Sequence, residues 1–398
     1  MRYAPQRRFF IPTSRQVRFA VTQQLERVAP GISPAISLST QEADFETVAA
    51  RGPFTLVEAA EAPFPPEWMA GFEADFETDR LRKGHVPASS ELDLQFALFE
   101  DAWVFGHTGQ VVDAHTNRSI SSVSAKSARP GILAARQLDG IAFSLISGRP
   151  GRSNNYYHFV TEQMSEHLAV LESAVETFDR LTLLLPTTVH PLESALVSEA
   201  RRRFPDLPVR RVGRSEKVRC EAVVFHRVHR SGILRSPASR RLLDAVTEAM
   251  RHFTQVFPTA GGTRRLFVSR ADARKPRLRN EDRVYARLER FGFERVMPGR
   301  LPLADQVALF SEAQIVAGPH GAGLTNLIFM PEDGAVIEIF GRNLAHGAFA
   351  WLSHLGGYSY AYVVSDEVSS ERDFRLTGAT LDGFEREVEA AVERISAR

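Results

Sequence analysis

The stretch from Ile315 to Ile339, IVAGPHGAGLTNLIFMPEDGAVIEI, constrains the fold of this chain more than any other. An apolar run, Ile315 to Ala317, stops at Gly318, Gly321 and Gly323, which flank His320. A short apolar helix pattern follows, then an Asp333-Gly334 turn and a second apolar run, Ala335 to Ile339. That order predicts strand, tight loop, short helix and strand, a unit of an α/β sheet. Glycine lets a ligand lie close to the main chain in such a loop. A helix starting near Leu324 would turn its unpaired N–H groups and positive dipole end toward a phosphate or another anion. Glu338 is an acid inside the second apolar run.

The same alternation recurs along the chain. Residues 1–128 are poor in helical patterns, and AWVFGHTGQVVDA reads as two strands joined through His107, Thr108 and Gly109. In 129–235 a strand is expected at Ile141 to Ile146. Val160, Met164, Leu168, Leu171 and Val175 then mark one apolar helical face. A strand at Leu181 to Leu185, a helix through Leu192 to Phe204 and a strand at Ala222 to Phe225 complete βαβ units. In 236–365 the scheme repeats: Leu242, Val246 and Met250 share a helical face, RLFVS is a strand, and Val284, Leu288 and Phe291 face one way. A terminal helix, about Leu381 to Ile395 within the tail 366–398, carries Phe384, Val388, Ala391, Val392 and Ile395 on one side. Such a stripe must be buried, and we expect it to pack back on the first α/β domain.

Size and charge narrow the classes. A chain of 398 residues has room for two or three domains. Lys+Arg 49 against Asp+Glu 48 leaves a net charge of +1, which argues against a nucleic-acid partner. The clusters Arg201 to Arg203 and Arg210 to Arg214 read as solvated surface. The lone cysteine, Cys220, excludes an intrachain disulfide and a cysteine metal cluster, and its place in CEAVVF suggests a buried, inert thiol. There is neither an apolar run of about 18 residues nor a secretory signal pattern at the N-terminus. A cytoplasmic protein is expected, with peripheral contact at the inner face of a membrane left open.

Three groups of residues carry chemistry. His158 and Glu162 lie four apart near a helix start that Asn154 or Asn155 can cap. Such a pair orients an imidazole or supplies a general base, and it also fits a plain stabilising surface pair. The spacing lacks the further ligands of a zinc site, so no metal is expected. Arg270 follows the RLFVS strand directly, where the carboxyl ends of parallel strands meet ligands. Arg279, Asn280 and Glu281 open the next helix, while Arg274, Lys275 and Arg277 solvate a loop. His320 can bond a phosphate, with Thr325 and Asn326 in the turn after it and Glu338 placed for ribose hydroxyls. The competing reading is a tight structural turn with a buried carboxylate. Neither GxxxxGK[ST] nor GxGxxG occurs.

Taken together, NNYYHFVTE at 154–162, FVSRADARKPRLRNE at 267–281, LPLADQVALFSEAQIVAGPHGAGLTNLIFMPEDGAVIEIF at 301–340 and FEDAWVFGHTGQVVDA at 99–114 resemble the glycosyltransferase 61 family. Bacterial members are commonly described as capsular polysaccharide biosynthesis proteins. The resemblance implies a GT-B-like α/β fold: two Rossmann-like domains facing a cleft, 129–235 on the acceptor side and 236–365 binding the nucleotide sugar, with a strand-rich extension at 1–128. It implies an inverting, metal-independent hexosyl or pentosyl transfer, without cofactor, from a UDP-linked donor to a glycan or lipid-linked glycan. Arg270, Arg279, His320 and the segment Gly321, Ala322, Gly323, Leu324, Thr325 and Asn326 would hold the diphosphate, and Glu338 the ribose. Asn154 and Asn155 would line the acceptor side, and His158 or Glu162 would act on the acceptor hydroxyl. Many relatives place an aspartate where this chain has Glu162. The alternatives are a nucleotide- or carbohydrate-binding protein without turnover and another nucleotide-dependent enzyme.

Overall fold

The computed structural model describes residues 32–34, 55–56, 95–106, 108–114, 132–146, 155–187, 191–226, 239–258, 261–273, 278–341, 347–365 and 373–397. Among them are two α/β units, one after the other in the chain, in the GT-B-like arrangement that the resemblance implies.

The first unit is a mixed eight-stranded sheet: β1 (Ile32–Pro34), β2 (Thr55–Leu56), β3 (Gln95–Phe105), β4 (Val111–Asp113), β5 (Ile132–Ser144), β6 (Leu181–Pro186), β7 (Val209–Val212) and β8 (Glu216–His226). β8, β5, β6 and β7 lie side by side and parallel. β3 adds to β8 antiparallel and carries β4 as a hairpin, so this upstream stretch extends the first sheet. In the hairpin loop Gly109 takes φ 65°, and Thr108 Oγ1 accepts the Gln110 N–H at 3.2 Å. His107 lies outside the described residues. β5 begins nine residues before the expected Ile141, because the polar stretch ARQLDG has no apolar run to announce a strand that is paired on both sides.

The helix after β5 comes in three pieces: an α-helical turn (Tyr156–His158), a π-helical stretch (Phe159–Met164) and α1 (Ser165–Thr177). Val160, Met164, Leu168 and Leu171 of the expected stripe are buried and Val175 is half-buried, but Thr161, Glu162, Gln163, Ser165, Glu166 and His167 are buried too. Periodicity predicts one covered face; here residues 159–168 are enclosed on every side, and the helix opens to solvent toward Thr177. α2 (Pro191–Arg203) and α3 (Ser239–Thr254) complete the layer.

The second unit is all parallel: β9 (Arg264–Val268), β10 (Phe293–Val296), β11 (Ala313–Pro319), β12 (Ala335–Phe340) and β13 (Ser359–Val364), in the order β10-β9-β11-β12-β13. Its helices are α4 (Glu281–Leu288), α5 (Leu303–Ser311), a 3-10 helix (Ala322–Phe329), α6 (Ala348–Gly356) and α7 (Gly378–Ser396). Strand alternation splits the apolar residues between two faces. Leu266, Val268, Val316 and Val336 join a core that also holds Leu168, Leu171, Leu183, Leu242, Val246 and Met250, so one apolar core spans both units. α3 sits at its centre, packed against α1 and α2 on one side and α5, α6 and the 3-10 helix on the other.

The opposite face, with Phe267, Ile315, Ala317, Ile337 and Ile339, is covered by α4 and α7. The terminal helix therefore does not pack back on the first unit. The eight residues of α4 leave most of that face open, and the stripe Leu381, Phe384, Val388 and Ala391 covers it. Thr377 and Thr380 form a capping box at its start, and Glu385 pairs with Arg287 of α4 and with Arg290 in the 3-10 turn that follows it. Phe384→Ala should cost about 3–5 kcal/mol, read as a fall in the urea midpoint at unchanged slope.

Candidate functional site

The order of the second sheet reverses between β9 and β11: the chain leaves β9 for β10 on one side and returns to β11 on the other. In open parallel sheets the carboxyl ends at such a reversal leave a crevice that receives ligands. Here β9 runs into Ser269-Arg270 and β11 into His320-Gly321.

Arg270 lies across this crevice. Its guanidinium donates to the His320 carbonyl and rests against Gly321, where an added Cβ would stand 2.5 Å from Nη1 and 2.7 Å from Cδ. Gly321 is extended, at φ 170° and ψ 163°, so glycine is needed here for space rather than for its dihedrals. Gly318 is similar, for its Cβ would meet the Val268 carbonyl at 2.7 Å. Burial holds the Arg270 guanidinium below the usual arginine range, against the pull of Asp272 and Glu281. The loop itself is fixed by Glu281, a buried carboxylate that accepts the Ser269 hydroxyl, the Arg270 N–H at 3.0 Å and Arg295 at 2.5 and 3.1 Å. Sequence reading takes Glu281 only as a helix opener; its place in the first turn of α4, facing the β9 end, was the missed signal.

His320 donates its Nδ1–H to Glu338 Oε1 at 2.5 Å. Its ring stacks on Phe340 at 5.4 Å and tilts against Phe349 at 5.2 Å. The parallel register pairs Gly318 with Glu338 and so brings the two side chains together. Glu338 has no exposed surface, and its second oxygen accepts the Tyr360 hydroxyl at 2.7 Å. Both oxygens are occupied, so the geometry does not fit the expected ribose contact; Glu338 orients His320 instead.

The helix after the loop is 3-10 in form, and Leu324, Thr325 and Asn326 are fully buried in it. Their side chains serve packing: Asn326 bonds Gln306 and the Gly323 carbonyl at 3.1 Å each and accepts the Tyr156 hydroxyl at 2.9 Å. Inside the helix Leu324 is the first N–H to bond, to Gly321 O at 2.9 Å, so the amides of Ala322 and Gly323 precede the ladder. The backbone, not the side chains, is what this segment can offer an anion.

The first unit supplies a matching pair. Asn155, in extended conformation, caps the helix through the His158 N–H at 3.5 Å. His158 Nδ1 meets Glu162 Oε1 at 2.7 Å; the histidine side chain is 27% exposed and the glutamate 1%. Both histidines thus turn Nδ1 to a buried carboxylate, which fixes the tautomer. Tyr157 stands edge-on to His158 at 5.3 Å and to Phe349 at 5.6 Å, so aromatic contacts link the two pairs across the units.

Other expected residues lie apart. Arg279 pairs with the buried Asp373, and Asn280 clasps both backbone groups of Leu376, so these two tie down the C-terminal segment and are not placed at the crevice. Asn154, Arg274, Lys275 and Arg277 lie outside the described residues. Burial pushes the Cys220 thiol up to about 12, in keeping with an inert cysteine. A cavity of about 590 Å³ lies at the amino ends of β6 and β7, lined in part by Asp139, Arg180 and Phe204; it contains none of the candidate residues. Among the described residues no three His, Cys, Asp or Glu side chains are grouped to hold a metal ion, and no helix is long and apolar enough to cross a membrane.

Next to the pair in the first unit, burial pushes His167 down to about 4, despite its 2.6 Å bond to the Gln163 carbonyl. A histidine lowered from about 6.5 binds more protons unfolded than folded between those values. Its contribution is complete above pH 6.5 and is lost as pH falls toward 4, by at most about 3 kcal/mol. Urea midpoints at pH 7 and pH 5 should therefore differ more for the native chain than for His167→Gln.

Residues 156–337 match the family model described as Glycosyltransferase 61. The chain is also similar to the EGF domain-specific O-linked N-acetylglucosamine transferase of Drosophila melanogaster, 30% identical over 123 residues, covering 30% of this chain and 24% of that protein. A second similarity is to Beta-1,2-xylosyltransferase RCN11 of Oryza sativa subsp. japonica, 31% identical over 119 residues, covering 26% of this chain and 22% of that one. The chain spans about a quarter of the length of these curated relatives.

Proposed function

From the match to glycosyltransferase 61 and the crevice between β9 and β11, we propose that this chain is an inverting glycosyltransferase. It moves a sugar from a nucleotide-diphosphate donor to a hydroxyl of a glycan or lipid-linked glycan, without an essential divalent cation. The observation that carries the reading is the convergence of a partly buried cation, an oriented histidine and free helix-start amides on one strand reversal: Arg270, His320, Ala322 and Gly323. Preorganised donors of this kind suit a departing diphosphate. The two curated relatives are named for sugar transfer, one of N-acetylglucosamine and one of xylose, which supports the reaction class and leaves the donor sugar to experiment. In the same reading UDP is the donor nucleotide, and the product is a surface polysaccharide made in the cytoplasm, with transient docking at the inner membrane face.

The chemistry follows from the two oriented histidines. His158 Nε2 takes the acceptor hydroxyl proton while Glu162, too buried to reach substrate, stabilises the imidazolium that forms. The acceptor oxygen bonds to the anomeric carbon from the face opposite the phosphate oxygen. That bond breaks with its electron pair going to the diphosphate, whose charge Arg270 and the amides receive, together with His320 once its Nε2 also carries a proton and Glu338 balances the imidazolium. This choice makes His158 the base and Glu162 its positioning group.

Calorimetry with UDP, GDP, CMP and NAD in EDTA is the first test. Arg270→Ala should weaken nucleotide-diphosphate binding about 10- to 100-fold, the worth of a charge-assisted bond. UDP binding that needs a divalent cation, or that ignores Arg270→Ala, would overturn the donor site. His158→Ala should lower kcat by about 10²- to 10⁴-fold with donor binding kept. Tight nucleotide binding with no transfer from any sugar nucleotide would instead indicate a binding protein.

A further inference from the structure

We infer that Tyr360 is a positioning residue for His320, acting through Glu338 as the outer member of a Tyr–Glu–His relay laid across three adjacent strands. The role rests on the proposed transfer reaction, whereas the relay itself stands on geometry alone. His320 follows β11, Glu338 lies in β12 and Tyr360 in β13, with bonds of 2.5 Å and 2.7 Å between them. β12 and β13 pair Glu338 with Tyr362, so Tyr360 is two residues earlier, on the same face.

Three observations give the relay its work. The aromatic walls, Phe340 and Phe349, restrain the plane of the imidazole but are blind to a half-turn about Cβ–Cγ, which exchanges Nδ1 with carbon. Only an acceptor placed at Nδ1 decides between the two. Glu338 is that acceptor, and a carboxylate with no exposed surface needs a donor on its other oxygen to hold one orientation. Tyr360 remains such a donor throughout the working range, since burial, and then the charge of Glu338 and the bond to it, raise its hydroxyl well above the ordinary tyrosine value.

Tyr360→Phe keeps the ring beside Tyr362 and removes only the O–H. Imidazole ¹⁵N spectra of the folded protein, with His320→Ala used to assign the resonance, read the tautomer directly. We expect an Nδ1-protonated His320 in the native chain and a mixture of tautomers in Tyr360→Phe. With a sugar-nucleotide donor, kcat should fall about 10-fold at nearly constant donor KM. The same substitution in a His320→Ala background should cost nothing further. An unchanged His320 resonance, or an equal loss of kcat in both backgrounds, would overturn the relay. The spectra need no turnover, so absence of transfer in every variant would count against the proposed reaction while leaving the relay decided by the tautomer.

Discussion

A carboxylate removed from water has to be given hydrogen-bond donors, and this requirement organises the centre of the molecule. Glu162, Glu281 and Glu338 are all buried. Glu162 is matched by His158, Glu281 by Arg295, Ser269 and a main-chain N–H, and Glu338 by His320 and Tyr360. In each case the acid leaves its partner few orientations. The candidate site is therefore rigid where it is charged, and its reactive atoms are held by groups that a ligand does not touch.

The two units that bring these pairs together are not independent bodies joined by a strand of chain. One apolar core runs through both, with α3 at its middle. The Tyr156–Asn326 hydrogen bond and the Tyr157–Phe349 contact cross between them directly beside the paired histidines. Spacing between the two histidine pairs is thus set by packed helices rather than by a linker.

Much of this was legible in the sequence wherever the signal is local. The strand–loop–strand of 313–340, the hairpin through Gly109 and the His158–Glu162 pair depend on neighbours a few residues away. The rest depends on partners that periodicity does not name. Glu338 and Tyr360 face each other through the register of parallel strands, and Arg279 finds Asp373 across a long stretch of chain. The stripe on α7 was readable as a buried face, yet which sheet it covers turns on how much surface the short α4 leaves open. Thr325 and Asn326 looked like ligand contacts because of where they stand after the glycines. The tighter 3-10 winding turns them inward.

The π-helical stretch Phe159–Met164 has a consequence of its own. Widening a helix by one residue per turn is equivalent to an insertion, and a regular α-helix advances by roughly 100° for each residue. Everything before the widened stretch, including His158, is rotated by that amount relative to α1. The bearing of the histidine is therefore encoded in the number of residues between Asn155 and Ser165 as well as in their identity. A single-residue deletion there would keep every side chain of the pair and still swing one of them away from the crevice.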